Sequence, residues 1–250
     1  MTALRALIFD VDGTLAETEE LHRICFNASF AEFGLDWDWD QALYRELLAV
    51  TGGKERIKYY IDEFDGSVDI PPAGIRQIHE RKTALYTERM AEGALGPRPG
   101  VLRLIDEARA SGVLCAIATT TSRPNVDALL QSAFAPDAVG WFTAIAAGDE
   151  VARKKPALDV YALALERLGL AADACLAIED SRNGLESARA AGLGCVITVS
   201  PYTDGQDFST ALRTVAHLGD FETHNRAIEG GMVTLAMLRD WHAAWVSRSA

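Results

Sequence analysis

Residues 4–14 read Leu-Arg-Ala-Leu-Ile-Phe-Asp-Val-Asp-Gly-Thr, an apolar run that ends in two carboxylates and a glycine. A run that is continuously apolar rather than alternating is the pattern of a strand buried on both faces. Asp10 and Asp12 stand two residues apart, so a continuing strand would put both on one face. Gly13 lets the chain turn away with no side chain in the path. Ligands of an open parallel sheet bind beyond the C-terminal strand ends, where these two acids fall. A polar turn that merely closes a strand looks the same over six residues, so the stretch needs its surroundings. A calcium loop does not fit, because Leu15 and Leu21 stand where an EF-hand needs glycine and glutamate.

Four more runs of the same kind follow: Val113–Thr119, Phe142–Ala147, Ala174–Ile178 and Cys195–Val199. Between them lie helical stripes. Val101, Leu102, Leu104, Ile105 and Ala108 form one, stopped by Gly112; Val126, Leu129, Leu130, Ala133 and Phe134 form another. Leu158, Tyr161, Leu165 and Leu168 make a third before Gly169, and Ser181 suits the N-cap of a fourth that ends at Gly192. Strands alternating with helices predict an α/β fold, a parallel sheet with helices on both faces. One segment breaks the alternation. From Glu17 to about Gly96 the pattern is helical throughout, and it returns through the Pro97–Gly100 turn, so it reads as a helical insert. Within it, Asp36-Trp37-Asp38-Trp39-Asp40 reads as a helix start with buried tryptophans. Leu238, Trp241 and Trp245 suggest a last amphipathic helix docked on the core.

With 24 basic and 36 acidic side chains among 250 residues, the formal net charge is −12. Such a surface repels a nucleic-acid backbone. It also repels phosphorylated metabolites, so a phosphate site here must bring its own positive charge. No apolar run approaches the ~20 residues that span a bilayer, and the N-terminus lacks the features of a signal peptide. We therefore expect a cytoplasmic protein, a monomer, with no nucleic-acid or membrane partner. Cys25, Cys115, Cys175 and Cys195 have no CxxC spacing and read as reduced core residues.

Three further elements sit where the first predicts them. The second strand runs into Thr119-Thr120-Thr121-Ser122, hydroxyls at a helix start that would hold phosphate oxygens. Lys154-Lys155-Pro156 precedes the third helix, with Pro156 suited to its first position and a lysine aimed at the sheet edge. The fourth strand ends in Glu179-Asp180-Ser181, whose carboxylates join Asp10 at that edge. Oxygen ligands from separate strands suit a hard cation such as Mg2+. One chemistry uses all four elements: Asp10 attacks phosphorus, and Asp12 protonates the leaving oxygen and then takes a proton from water. Mg2+ on Asp10, Asp180 and the Asp12 carbonyl offsets the repulsion between carboxylate and phosphate, with a lysine opposite.

The residues Asp10-Val11-Asp12-Gly13-Thr14, the threonines 119–121, Lys154-Lys155-Pro156 and Glu179-Asp180-Ser181-Arg182-Asn183-Gly184 resemble the four motifs of the haloacid dehalogenase superfamily. The insert resembles the cap of its beta-phosphoglucomutase-like branch. The resemblance implies a Rossmann-like core of residues 1–16 and 97–250 and a helical cap of 17–96. It also implies Asp10 as nucleophile, Asp12 as acid and base, Thr119 as phosphate-binding hydroxyl, Lys155 rather than Lys154 as the lysine, and Glu179 with Asp180 as the acidic pair.

The stretches Ala16–Arg23, Thr51–Ile57, Ala118–Ser122 and Ala147–Asp149 are similar to the CbbY family of carbon-fixing bacteria. That likeness implies hydrolysis of xylulose 1,5-bisphosphate to xylulose 5-phosphate. A bisphosphate needs a second anion site, and Lys54 and Arg56 stand in a Gly-Gly turn that could supply it. Thr120 and Thr121 would add phosphate contacts, Glu17 would face sugar hydroxyls, and His22 would either touch substrate or pack in its helix. A sugar-phosphate mutase, or a phosphatase of another small metabolite such as phosphoglycolate, carries nearly the same motifs and stays open at this stage. So does a non-catalytic binding module, although the intact acid and lysine set argues against it.

Overall fold

The computed structural model describes residues 2–66, 68–93, 95–219 and 229–249. The five apolar runs are five strands: β1 (Ala6–Phe9), β2 (Leu114–Ala118), β3 (Ala144–Ala146), β4 (Cys175–Glu179) and β5 (Gly194–Thr198). A short edge strand, β6 (Arg213–Val215), joins them. The order is β3-β2-β1-β4-β5-β6, with every neighbouring pair parallel. The chain thus adopts the expected α/β fold.

The pleat sorts β1 between two cores. Leu7 and Phe9 pack with residues of α5 (Val101–Ala110), α6 (Arg123–Leu129) and α9 (Leu235–Ser249). Ala6 and Ile8 pack on the other face with α7 (Asp159–Leu168) and α8 (Arg182–Ala190). A strand covered on both faces has no solvent side, which is why the alternation is missing from its sequence. From β1 the chain goes first to β2 and β3 on one side and later to β4 and β5 on the other. The end of β1 is therefore the switch point of the sheet, where a crevice opens.

Among the described residues the insert forms four helices: α1 (Glu19–Glu32), α2 (Gln41–Leu47), α3 (Gly53–Glu63) and α4 (Pro72–Ala91). They enclose a separate apolar cluster that includes Phe26, Phe30, Trp37, Trp39, Tyr44 and Ile57. Both tryptophans are buried, and the Asp40 side chain accepts from the Leu43 amide at 2.8 Å, capping α2. Leu21 and Cys25 of α1, with Tyr86 and Met90 of α4, reach the sheet cluster instead, so these two helices seat the insert on the crevice.

One local expectation needs correction, and one strand was not anticipated. Pro156 does not open a helix: Lys155-Pro156 is a cis peptide in a turn, and α7 begins at Asp159. Strand β6 gave no apolar run because Arg213 and Thr214 are exposed and only Val215 is buried. The four cysteines are free and buried. Among the described residues no helix is long and apolar enough to cross a membrane.

Candidate active site

Asp10 follows the last residue of β1 and takes up the β4 side through its amide, which donates to the Ile178 carbonyl at 2.9 Å. Its Oδ1 lies 2.6 Å from Lys155 Nζ. The same ammonium meets Glu179 Oε1 at 2.5 Å and donates to the Ala118 carbonyl at 2.9 Å, so all three donor positions are used. Tyr161 Oη donates to that Glu179 oxygen at 2.7 Å, and Glu179 is wholly buried beneath the site. Lys154, its neighbour, points elsewhere, donating to the Gly148 carbonyl at 2.7 Å. Although burial works against its charge, the Asp10 and Glu179 carboxylates hold Lys155 protonated.

Asp10, Glu179 and Asp180 each bring a carboxylate oxygen within 4.8 Å of the others. Burial raises Asp10 to about 8; Lys155 pulls it down, while the Glu179 and Asp12 charges push it up. Asp180 lies well above the carboxylate range, from burial and then from the Asp10 and Glu179 charges. Carboxylates pressed together until protonation is favoured form a site short of positive charge, and the all-oxygen donor set suits a hard divalent cation. Gly13, at φ 79°, leaves room for this packing, because a Cβ there would run into the Asp180 carboxylate.

Asp12 is not part of that cluster. Thr18 and Thr121 hydroxyls each donate to one of its oxygens, and His22 Nε2 lies 3.0 Å from Oδ1. On the far side of the ring, Lys82 Nζ lies 2.7 Å from His22 Nδ1. An ammonium can only donate, so His22 accepts from Lys82 and donates through Nε2 to Asp12. Burial and the Lys82 charge lower the His22 pKa, in keeping with that neutral ring. Burial alone would raise Asp12, but His22 and the Thr121 and Thr18 hydroxyls overcome it and hold the carboxyl well below its usual range. Thr18 and His22 belong to the insert and Thr121 to the loop after β2, so Asp12 is organised from both sides of the crevice.

Two cavities meet here. One, of about 550 Å³, is lined by Asp10, Lys155, Asp180, Ser181, Asn183 and Thr203. The other, of about 600 Å³, is lined by Lys54, Lys82, Lys154, Glu55, Asp149 and Asn125, with Ser122 and His79 beside them. Asp12, Glu19, Arg56 and Thr120 border both. The Ser122 hydroxyl and the Asn125 side-chain oxygen are buried there without a partner among the described residues. Arg56 is anchored by the Leu47 carbonyl at 3.2 Å and the Tyr44 hydroxyl at 3.0 Å, with its guanidinium over the Tyr44 ring.

Asp10, Asp12, Lys155, Asp180, Thr120, Thr121, Lys54, Arg56 and His22 are thus brought together, with Glu179 below them. Two expected residues are placed differently. Glu17 borders neither cavity; its carboxylate pairs with Arg98 at 2.6 Å where the insert leaves the sheet, so the expectation that it faces sugar hydroxyls is not met. Thr119 is buried, its hydroxyl accepting from the Thr121 amide at 3.1 Å, and the cavity hydroxyls belong to Thr120 and Thr121 instead. As for Asp12 as a cation ligand, its carboxylate accepts from Thr18, His22 and Thr121 and lies outside the acid cluster. Glu19, Tyr44, His79, Lys82 and Asn125 were not singled out from the sequence. They lie on helices where a polar residue is ordinary, and only the packing reveals that they face inward.

The sheet switch point, the lysine-bridged acid cluster and the helical insert over it define a hydrolase that works on phosphate esters. Residues 7–198 match the model of the haloacid dehalogenase-like hydrolases, and the chain belongs to that family as one of its phosphatases. Protein CbbY of Rhodobacter capsulatus is 58% identical over 209 residues, 83% of this chain and 91% of that protein. A CbbY variant from Rhodobacter sphaeroides with one aspartate changed to asparagine has been crystallised with xylulose 1,5-bisphosphate. It is 47% identical, with a TM-score of 0.82 over 88% of this chain and 98% of that one. Beta-phosphoglucomutase of Clostridium difficile shares the fold, with a TM-score of 0.79 over 98% of this chain and 100% of that one, at 16% identity.

Proposed function

We propose that this phosphatase is Mg2+-dependent and hydrolyses a small sugar bisphosphate, xylulose 1,5-bisphosphate to xylulose 5-phosphate. The observation that carries this reading is the pair of adjoining cavities, one built around Asp10 and the other lined by Lys54, Lys82 and Lys154. On a chain of net charge −12 that cavity is balanced, with Lys54, Arg56, Lys82 and Lys154 set against Asp12, Glu19, Glu55 and Asp149, and its lysines supply the positive charge that a second anion needs. The xylulose 1,5-bisphosphate complex of the Rhodobacter sphaeroides relative supports the same substrate. In this reading residues 17–96 form a cap domain over a core of 1–16 and 97–250. The protein acts in the cytoplasm as a monomer, where its free cysteines would stay reduced.

Asp10 attacks the phosphorus, the bond from phosphorus to the sugar oxygen breaks, and an aspartyl-phosphate forms. The departing oxygen takes a proton from Asp12. In the arrangement seen here Asp12 is a carboxylate, ready for the base half of the cycle. A phosphate dianion beside it acts the other way, raising its pKa and favouring the acid form. Water then attacks phosphorus, gives its proton to Asp12 and releases phosphate, restoring Asp10. Lys155 fixes the Asp10 carboxylate and balances its charge. Mg2+, held by Asp10, Asp180, Glu179 and the main chain at Asp12, would offset the repulsion between carboxylate and phosphate.

The test is product analysis. Xylulose 1,5-bisphosphate and glucose 1-phosphate are each incubated with the enzyme, with Mg2+ and after exhaustive chelation, and inorganic phosphate and sugar isomers are measured. We expect phosphate and xylulose 5-phosphate from the bisphosphate, only with the metal. Isomerisation without phosphate release, or undiminished hydrolysis after chelation, would overturn the reading.

A further inference from the structure

Where the two cavities meet, one acidic side chain has no part in the chemistry above. Glu19, in the first turn of α1, borders the cavity of Asp10, the cavity of Lys54, and a third groove beside Tyr202. Its Oε2 accepts from the Tyr44 hydroxyl at 2.9 Å, and that hydroxyl accepts from Arg56 Nη1 at 3.0 Å. Tyr44 is wholly buried in the insert core, so the line from Arg56 through Tyr44 to Glu19 is held rigidly. A tyrosine hydroxyl has one proton, which Glu19 receives. Among the described residues, no hydrogen bond to the other Glu19 oxygen is found, and it is left to the cavity. Asp12 and Arg56, which share the boundary, each carry two or more protein hydrogen bonds. Glu19 is therefore an anchored acceptor with spare capacity on the border of the two cavities.

A carboxylate there repels phosphate and other carboxylates, and it accepts readily from hydroxyls. We propose that Glu19 is a specificity-determining residue: it accepts hydrogen bonds from hydroxyls on the carbon chain between the two phosphates. This rests on the bisphosphate reading and deepens it. A site built to hydrogen-bond a hydroxyl discriminates strongly against an analogue that lacks it, because a buried polar group is left unpaired. It also disfavours phosphoglycolate, which would bring a second carboxylate against Glu19.

The experiment compares xylulose 1,5-bisphosphate with 1,5-pentanediol bisphosphate, which has the same phosphate spacing and no hydroxyls between. kcat/KM is measured for the wild type, Glu19→Ala, Glu19→Gln and Tyr44→Phe. The wild type should prefer the hydroxylated compound by about a hundredfold or more. Glu19→Ala should lose at least about tenfold more on the sugar than on the diol, the worth of one hydrogen bond to a charged group. Glu19→Gln, whose amide oxygen still accepts, should fall between, and Tyr44→Phe, which loosens the anchor, should show a smaller loss of the same preference. Equal losses on both compounds, or a wild type indifferent to the hydroxyls, would overturn the role of Glu19. If the wild type hydrolyses neither bisphosphate but another sugar phosphate, the substrate reading fails, and Glu19 is judged on that sugar against its deoxy analogue.

Discussion

At Asp10 one carboxylate oxygen sits 2.6 Å from a lysine whose other partners are a glutamate and a main-chain carbonyl. Asparagine would keep the shape of the side chain but could not form the aspartyl-phosphate. Asp10→Asn should therefore stay folded and lose at least about a thousandfold in turnover, as expected when a covalent route is removed. Acid-quenched wild-type enzyme taken during turnover should carry phosphate on the peptide containing Asp10. Phosphate release within tenfold of wild type, or label on another residue, would remove Asp10 from this role. Asp10, Asp12 and Asp180 stood out in the sequence because they follow apolar strand runs directly, and Lys155 because it stands in a Lys-Lys-Pro stretch ahead of a helical stripe. Thr119 was misread because which of three successive hydroxyls faces the cavity depends on the turn, and the Thr119 oxygen is taken by the Thr121 amide. Glu19 and Tyr44 were hidden for another reason. A glutamate in a first helical turn and a tyrosine in an apolar helix face are ordinary there, and their pairing across 25 residues appears only in three dimensions.

Among the elements, α4 carries the least expected group. His79 packs its ring against Gly53 of α3. Burial, followed by the charges of Lys82 and Lys54, lowers its pKa from 6.5 to about 3. In the unfolded chain the imidazole takes a proton as pH falls through 6.5, whereas the folded protein resists until about 3. Stability should thus be lost as pH falls across that window, by up to about 1.4 kcal/mol per pH unit from this one group. Denaturant unfolding at pH 7, 6 and 5 should show a steeper decline for the wild type than for His79→Gln, and parallel curves would contradict it. The insert's helices were visible as a pattern, but its cation-lined face was not. Helical spacing says which residues share a side, not which side meets the sheet. The short β6 escaped notice for lack of apolar residues, since an exposed edge has little to bury.

Over the whole molecule, the seam between insert and sheet is apolar where α1 and α4 meet the sheet cluster and hydrogen-bonded elsewhere. Asn183, at the start of α8, donates to the Ala49 carbonyl at 3.1 Å and the Thr51 hydroxyl at 2.9 Å. Arg45 donates to the Pro201 carbonyl at 3.2 Å, and the Tyr202 hydroxyl donates to Glu20. Arg98 pairs with Glu17 and donates to the Val199 and Ala216 carbonyls at 2.6 and 2.9 Å, fastening the return of the insert to the sheet edge. Contacts of this kind exchange readily with water, as closure of the insert over substrate would require if the proposed function holds. Binding energy from a remote phosphate would then appear in the rate as well as in affinity. The most direct measurement compares kcat and kcat/KM for xylulose 1,5-bisphosphate with those for xylulose 1-phosphate, which offers the same reacting group without the distal phosphate. The bisphosphate should be favoured by about a hundredfold or more in kcat/KM, the scale of one or two charged hydrogen bonds, with part of the difference in kcat. Equal efficiency on the two compounds would contradict the two-site reading.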